Sequence, residues 1–289
     1  MTKPTTKSTK KPITKKPVAK KASTLKDGSI KLKIKIKKED VARAYGQILI
    51  ESAKHVEIKG FRKGKAPIKM VEASLDPSKL YSRVINVVVP PMYSDALKKG
   101  NHRPLIDPSI TPIKMEEGKD WEFEIETAEA PEVKVGEYKK YIKSALTKAR
   151  KEHKEPKKGE EAKADQHWEL NTVLDAILKN SQVEPSPALI KHESDASIHK
   201  LEHQLTSLKL SVDDYLKSIK KTREDMEKEY STTAKDNIRL EFSLKAITET
   251  ENPEVTAKEV QDAKPPQGQE AYVRYLLQKQ KVLDILVKL

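Results

Sequence analysis

Between Ser29 and Lys37 apolar and basic residues alternate without a break. Ile30, Leu32, Ile34 and Ile36 fall on one side of an extended chain, and Lys31, Lys33, Lys35 and Lys37 on the other. A period of two marks a strand with one buried face. Trp121 to Thr127 repeats it, with Trp121, Phe123 and Ile125 set against Glu122, Glu124 and Glu126. A lysine face and a glutamate face attract across adjacent strands. The pattern therefore predicts that these two segments are neighbours in one sheet. Ile110 to Met115 reads as a further strand, and Glu117-Gly118 as a hairpin turn into Trp121.

Between the strands the period changes to that of a helix. Val41, Ala44, Tyr45, Ile48, Leu49, Ser52 and Val56 recur at helical spacing, behind Glu39 and Asp40 at the positive end of the helix. Pro67 opens a short helix that ends near Leu75. Asp76 caps the next, with Pro77 in its first turn and Leu80, Val84, Val87 and Val88 inside. Pro90-Pro91 is expected to break or kink that helix, because each ring removes a donor and crowds the preceding turn. Met92 to Lys99 resumes it, and Gly100-Asn101 stops it.

From Trp168 onward the pattern is helical throughout. Leu170, Val173, Leu174, Ile177 and Leu178 form one stripe. Pro185 and Pro187 bound the next helix, which carries Leu189, Ile190, Ile198, Leu201, Leu205 and Leu208. Ser211 with Asp214, Thr222 with Asp225, and Thr256 with Glu259 each read as helix starts. Met226, Tyr230, Ala234, Ile238, Phe242 and Ile247 line a long helix. Pro265-Pro266 interrupts the helical pattern before a last helix lined by Tyr272, Val273, Leu276, Leu277, Leu283 and Leu286. The fold class is thus an α+β N-terminal domain, an antiparallel sheet with helices, followed by an all-α C-terminal domain in an elongated, multi-domain chain. The boundaries read as 1–28 for a disordered Lys-rich tail, 29–145 for the α+β domain, 146–166 for a charged linker and 167–289 for the helical domain.

Composition narrows the function classes. The 289 residues are 36% hydrophobic and 35% charged, which is thin for one large core. There is no cysteine, so disulfide and thiolate chemistry are excluded. The net charge is +13, of which residues 1–28 supply nine Lys against one Asp. That tail cannot bury enough apolar area to become ordered, and it suits loose attraction to polyanions. No apolar run reaches the roughly 18 residues of a membrane span. The N-terminus has no continuous apolar core of the kind a secretory signal needs.

Chemistry concentrates in one stretch. Lys59 to Pro67 places four cations, one large apolar ring and two glycines in nine residues. Gly60 and Gly64 permit turns closed to other residues. The stretch reads as a tight exposed loop that presents Phe61 between Arg62, Lys63 and Lys65, suited to an acidic partner with a small apolar socket. The same residues also fit an ordinary basic surface loop with a half-buried Phe. Gly60-Phe61-Arg62-Lys63-Gly64-Lys65-Ala66-Pro67 resembles the ribosome-docking signature of trigger factor, a bacterial chaperone family that sits at the ribosomal tunnel exit. The resemblance extends over residues 29–143 and 166–289, with Ser211 to Leu216 among the closer matches. Two departures stand out. The family usually carries a prolyl-isomerase domain between those parts, where this chain has a short charged stretch, and Lys59 stands where the family often has proline.

The resemblance implies an ATP-independent chaperone that is not an enzyme. Gly60, Phe61, Arg62, Lys63, Gly64, Lys65 and Pro67 would form its ribosome-binding site. Its partners would be the large ribosomal subunit, through a tunnel-exit protein and rRNA, and unfolded nascent polypeptides. It would work in the cytoplasm with no membrane and no cofactor, as a monomer or a homodimer. Exposed apolar helix faces would hold clients through many weak contacts. The residues also admit a general RNA-binding protein, which would bind free RNA as well as ribosomes, or a holding chaperone away from the ribosome. His199 and His203 have the spacing of an inverted zinc-peptidase motif. They flank the apolar stripe of Ile198, Leu201 and Leu205 and announce no third ligand, so an ordinary helix surface is the better account. No catalytic, metal or cofactor residues are assigned.

Overall fold

The computed structural model describes residues 23–24, 27–152 and 168–289. The Lys-rich tail, apart from its last few residues, and the linker beyond Glu152 lie outside the described residues. The elements are β1 (Ser23–Thr24), β2 (Ser29–Ile36), α1 (Lys38–Ala53), α2 (Ile68–Ser74), α3 (Pro77–Gly100), β3 (Ser109–Lys114), β4 (Trp121–Ala128), β5 (Val133–Lys134), α4 (Tyr138–Glu152), α5 (Trp168–Asn180), β6 (Gln182–Val183), α6 (Pro187–Ser207), α7 (Val212–Ser218), α8 (Arg223–Glu251), α9 (Ala257–Asp262) and α10 (Glu270–Val287). They fall into two compact units. The first comprises Lys31–Arg103 and Pro108–Glu126; the second comprises Pro104–Asp107, Thr127–Leu289 and the short stretch before Lys31, as far as they are described.

In the first unit the charged alternation resolves as the sequence predicts. The sheet order is β1-β2-β4-β3, so β2 and β4 are neighbours. Lys31 pairs with Glu126, Lys33 lies 3.7 Å from Glu124, and Lys35 lies 3.3 Å from Asp120 and 3.6 Å from Glu122. On the opposite face Leu32, Ile34, Ile36, Trp121, Phe123 and Ile125 are buried. β3 pairs antiparallel with β4, Ile110 opposite Ile125, and the register slips between Pro112 and Lys114. All six residues of β3 are exposed. Pro112 has no N–H to offer a ladder, which suits it to the outer strand of a sheet. The turn into β4 closes with the Lys119 N–H donating to Glu116 at 3.3 Å across Gly118, whose φ is +71°.

Helix α1 packs against both α2 and α3. Val41, Ala44, Ile48, Leu49 and Ser52 of α1 and Leu80, Val84, Val88, Val89 and Ala96 of α3 are buried. Asp76 caps α3 by accepting from the Ser78 N–H, and Asn101 ends it at φ +53°. Pro67 stands at the cap position of α2, one residue before the helix it was expected to begin. Pro90-Pro91, expected to break or kink α3, does not break it: the helix runs through both rings. The carbonyls these prolines leave without intrahelical donors belong to Asn86 and Val87, which are exposed, so water can take up what the ladder loses.

The second unit is built from helices. Its largest core joins Tyr138, Ile142 and Leu146 of α4 to Val173, Ala176 and Ile177 of α5, with Leu244 and Ile247 of α8 and Val282 and Leu286 of α10. A smaller cluster gathers Ala128, Leu189 and Ile238. The boundary read near residue 145 therefore falls inside α4, whose apolar stripe is buried among these helices. Three helix starts carry the local caps their sequences announce. Ser211 accepts from the Asp214 N–H, and Thr222 with Asp225 and Thr256 with Glu259 form reciprocal capping boxes. A two-stranded antiparallel ribbon, β5 with β6, pairs Val133 with Val183 and packs against α8. Strands of two residues are too short to show a period, and the sequence reading missed them.

Candidate functional site

The stretch from Lys54 to Pro67 joins α1 to α2 and contains the predicted site. Two successive turns shape it. The Phe61 N–H donates to the Ile58 carbonyl at 3.0 Å across Gly60, and the Lys65 N–H donates to the Arg62 carbonyl at 2.9 Å across Gly64. Gly60 has φ +93° and Gly64 φ +80°. A glycine with positive φ at the third position is what a type II turn requires. A Cβ built on Gly60 would meet nothing within 4 Å, and one on Gly64 only the Lys54 Cα at 3.9 Å. Conformation, and not crowding, is therefore what calls for glycine at both corners.

The turns face solvent. Phe61 is 42% exposed. Arg62, Lys63, Gly64, Lys65 and Pro67 are exposed as well. Lys59, Arg62, Lys63 and Lys65 make no ion pair or side-chain hydrogen bond with any described residue. Lys54 and Lys69 extend the positive charge, and Glu57 is the one carboxylate between residues 54 and 69. The sequence reading overlooked two further members of this surface. Ile68 and Met70 of α2 are 47% and 43% exposed, and Val71 alone of that helix is buried. Ile and Met in a seven-residue helix that can seat one side chain were the available signal.

The base of the loop is fastened on both sides. The Tyr45 hydroxyl of α1 donates to Glu72 of α2 at 2.7 Å, and Arg83 of α3 donates to the Ser52 hydroxyl of α1 at 2.7 Å. Burial, helped by Glu72, pushes the Tyr45 phenol well above its ordinary range. Aromatic rings continue from this base to the sheet: Tyr45 lies 6.0 Å from Tyr81, Tyr81 5.8 Å from Trp121, and Trp121 6.2 Å from Phe123. The loop is thus a projecting tip on a packed footing. It offers a ring, a guanidinium and several ammonium groups, with no acid–base pair or nucleophile poised for chemistry.

His199 and His203 are exposed on α6, and His199 Nδ1 lies 3.0 Å from Glu202. Among the described residues no three His, Cys, Asp or Glu side chains gather as a metal site would need. No described helix is long and apolar enough to cross a membrane. Several apolar positions of the second unit stay wet: Leu208 is 68% exposed, Leu210 48%, Tyr272 59% and Leu276 41%. Leu208, Tyr272 and Leu276 belong to apolar helix stripes named from the sequence, whose pattern left open which positions stay wet. Leu208 stands past the last turn of α6, where the helix face no longer covers it.

Two family models match the chain. One, described as bacterial trigger factor protein, covers residues 19–163, and one for the C-terminus of the same protein covers 134–288. The two matches overlap, so the N- and C-terminal family regions run directly into one another here. The trigger factor of Desulforamulus reducens is 31% identical over 164 residues, 56% of this chain and 37% of that protein. The trigger factor of Halothermothrix orenii is 36% identical over 115 residues, 40% of this chain and 27% of that protein. The matched part thus spans well under half of those relatives' length. A solved structure, from work on promiscuous substrate recognition in folding and assembly by the trigger factor chaperone, superposes with a TM-score of 0.62 at 12% identity. That match covers 93% of this chain and 99% of the solved one, and it shows a shared fold. With one family model matching each half of the sequence, the chain belongs to the bacterial trigger factor family.

Proposed function

We propose that this protein is an ATP-independent holding chaperone that docks at the tunnel exit of the large ribosomal subunit and shields emerging polypeptides in the cytoplasm. The observation that carries the reading is the outward-facing double turn, with Phe61 exposed among cations that have no ion partner among the described residues. Phe61 would fill an apolar socket on a tunnel-exit protein. Arg62 offers a planar fork to carboxylate or phosphate, and Lys63 and Lys65 add charge that speeds encounter. Gly60 and Gly64 set the turns, and Pro67 leads into α2. Ile68 and Met70 would widen the apolar contact. Clients would meet the wet positions of the second unit, Leu208, Leu210, Tyr272 and Leu276 among them. The solved relative's promiscuous substrate recognition supports this kind of low-specificity contact.

The test is cosedimentation with ribosomes at low and high ionic strength, with and without an emerging chain. Phe61→Ala with Arg62→Ala and Lys63→Ala should abolish pelleting while the helical circular dichroism and melting curve stay as in the parent. Wild-type binding should fall steeply with salt where phosphate contacts contribute. Pelleting unchanged by the triple substitution would reject the loop as the anchor. Equal binding to free RNA would favour a general RNA-binding role instead.

A further inference from the structure

We infer that the second unit carries a carboxylate-binding cavity that receives an acidic group of an extended polypeptide. The cavity is about 530 Å3, lies between the β5–β6 ribbon and α8, and is far from the loop in sequence. That volume suits a small ligand or a few residues of a peptide. Lys235 and Arg239 stand one helical turn apart on α8, so their heads reach the same space. Arg239 is held in place: it donates to the Leu178 carbonyl at 2.8 Å and lies 3.4 Å from Asp236. Lys134 lies 3.3 Å from Glu132. Lys235 has no ion partner among the described residues.

Ser181 supplies the independent observation. It lines the same cavity, is 4% exposed, and its hydroxyl has no hydrogen-bond partner among the described residues. Buried hydroxyls almost always have a partner, and one without calls for something to bind it. A free ammonium, a preset guanidinium and an unpartnered hydroxyl around one opening match an anionic group with several lone pairs. Glu132 and Glu184 also line the cavity, so three cations face two carboxylates. A phosphodiester chain would press repeated negative charge against both. One carboxylate on a peptide of mixed charge would not. In a two-stranded ribbon each strand also keeps one unpaired edge, which can hydrogen-bond an extended backbone.

The carboxylate can come from a side chain or from a chain end. Only the choice of a polypeptide as its source rests on the holding function proposed above. The test is titration of the full-length protein with three neutrally labelled pentapeptides of Gly and Val. One carries a central Glu with both ends blocked, one a central Gln with a free C-terminus, and one a central Gln with both ends blocked. Either carboxylate peptide should bind at least roughly tenfold tighter than the neutral one. Lys235→Glu should remove that preference. Ser181→Ala should weaken carboxylate binding about fivefold while leaving the melting temperature unchanged or raised, since it deletes a hydroxyl that nothing else in the fold uses. Equal binding of all three peptides, affinity untouched by both substitutions, or an oligouridylate that binds this cavity while the peptides do not would each overturn the inference. Suppression of aggregation of an acid-free client, measured in parallel, reads the holding function separately. Loss of holding with the carboxylate preference intact would sink the holding reading and support the cavity.

Discussion

The backbone N–H of Lys38 donates to the Asp120 carboxylate at 2.9 Å, across 82 residues of sequence. Lys37, at the cap of α1, offers no side-chain acceptor of its own, so the hairpin end of β4 does the capping. That hydrogen bond, with Lys35 close by, holds the Asp120 carboxyl below its ordinary range. A carboxyl more acidic in the folded chain than in the unfolded one stabilises the fold at neutral pH, and the contribution fades as acid protonates it. Asp120→Ala should therefore lower the melting temperature at pH 7, and the gap between parent and variant should close as the pH falls below 4. Asp120→Asn keeps an acceptor and should recover much of the loss. A gap that persists in acid would deny the carboxylate this part.

Val71 and Tyr45 test the footing of the loop. Val71→Ala should cost about 2 kcal/mol, because the residue is fully buried and anchors α2 by itself. Tyr45→Phe should cost about 1 kcal/mol through the lost bond to Glu72. Chemical denaturation reads both. Neither removes a group of the tip, so ribosome pelleting at temperatures where the variants stay folded should fall less than with Phe61→Ala.

Acid sensitivity of the second unit should centre on Glu259. Lys281 at 2.7 Å, followed by the N–H and hydroxyl of Thr256, pushes its carboxyl down to about 2. The stabilisation is complete above the ordinary carboxylate range and is lost as the pH drops from about 5 toward 2. Glu259→Gln should make the melting temperature less dependent on pH across that window. Thr256→Ala should cost about 1 kcal/mol by opening the cap. A Glu259→Gln variant with the parent's full acid slope would show that other carboxyls govern it.

Leu208 and Leu210 lie at the corner where α6 gives way to α7 and are exposed. Leu208→Ser with Leu210→Ser should change stability by less than about 0.5 kcal/mol, as surface substitutions usually do. If the corner meets clients, the double variant should suppress aggregation of a denatured protein less well than the parent. Equal suppression would move client contact elsewhere on the unit.

What could be read from the chain was what neighbours in sequence decide. The alternation of Ile30 to Ile36 and of Trp121 to Ile125 announced two half-buried strands, and the opposed lysines and glutamates announced their pairing. Ser211, Thr222 and Thr256 sit beside the residues they cap, so those helix starts were visible. The α1 cap was not, because Asp120 is remote. Pro90-Pro91 did not break α3, because the cost of a proline in a helix depends on whether the carbonyls it orphans face water. The boundary drawn at residue 145 cuts through α4, since composition marks where charge begins to dominate and not where a helix ends. In the loop, composition pointed to exposed charge, while the double turn that orients Phe61 became visible only with the dihedrals of Gly60 and Gly64.

Those two corners have open space where a side chain would begin. What keeps other residues out is chirality. A mirror-image alanine introduced by chemical ligation at residue 60 or 64 should sit comfortably where its natural enantiomer strains the backbone. The tip could then be stiffened by synthesis without altering a single group it shows to a partner.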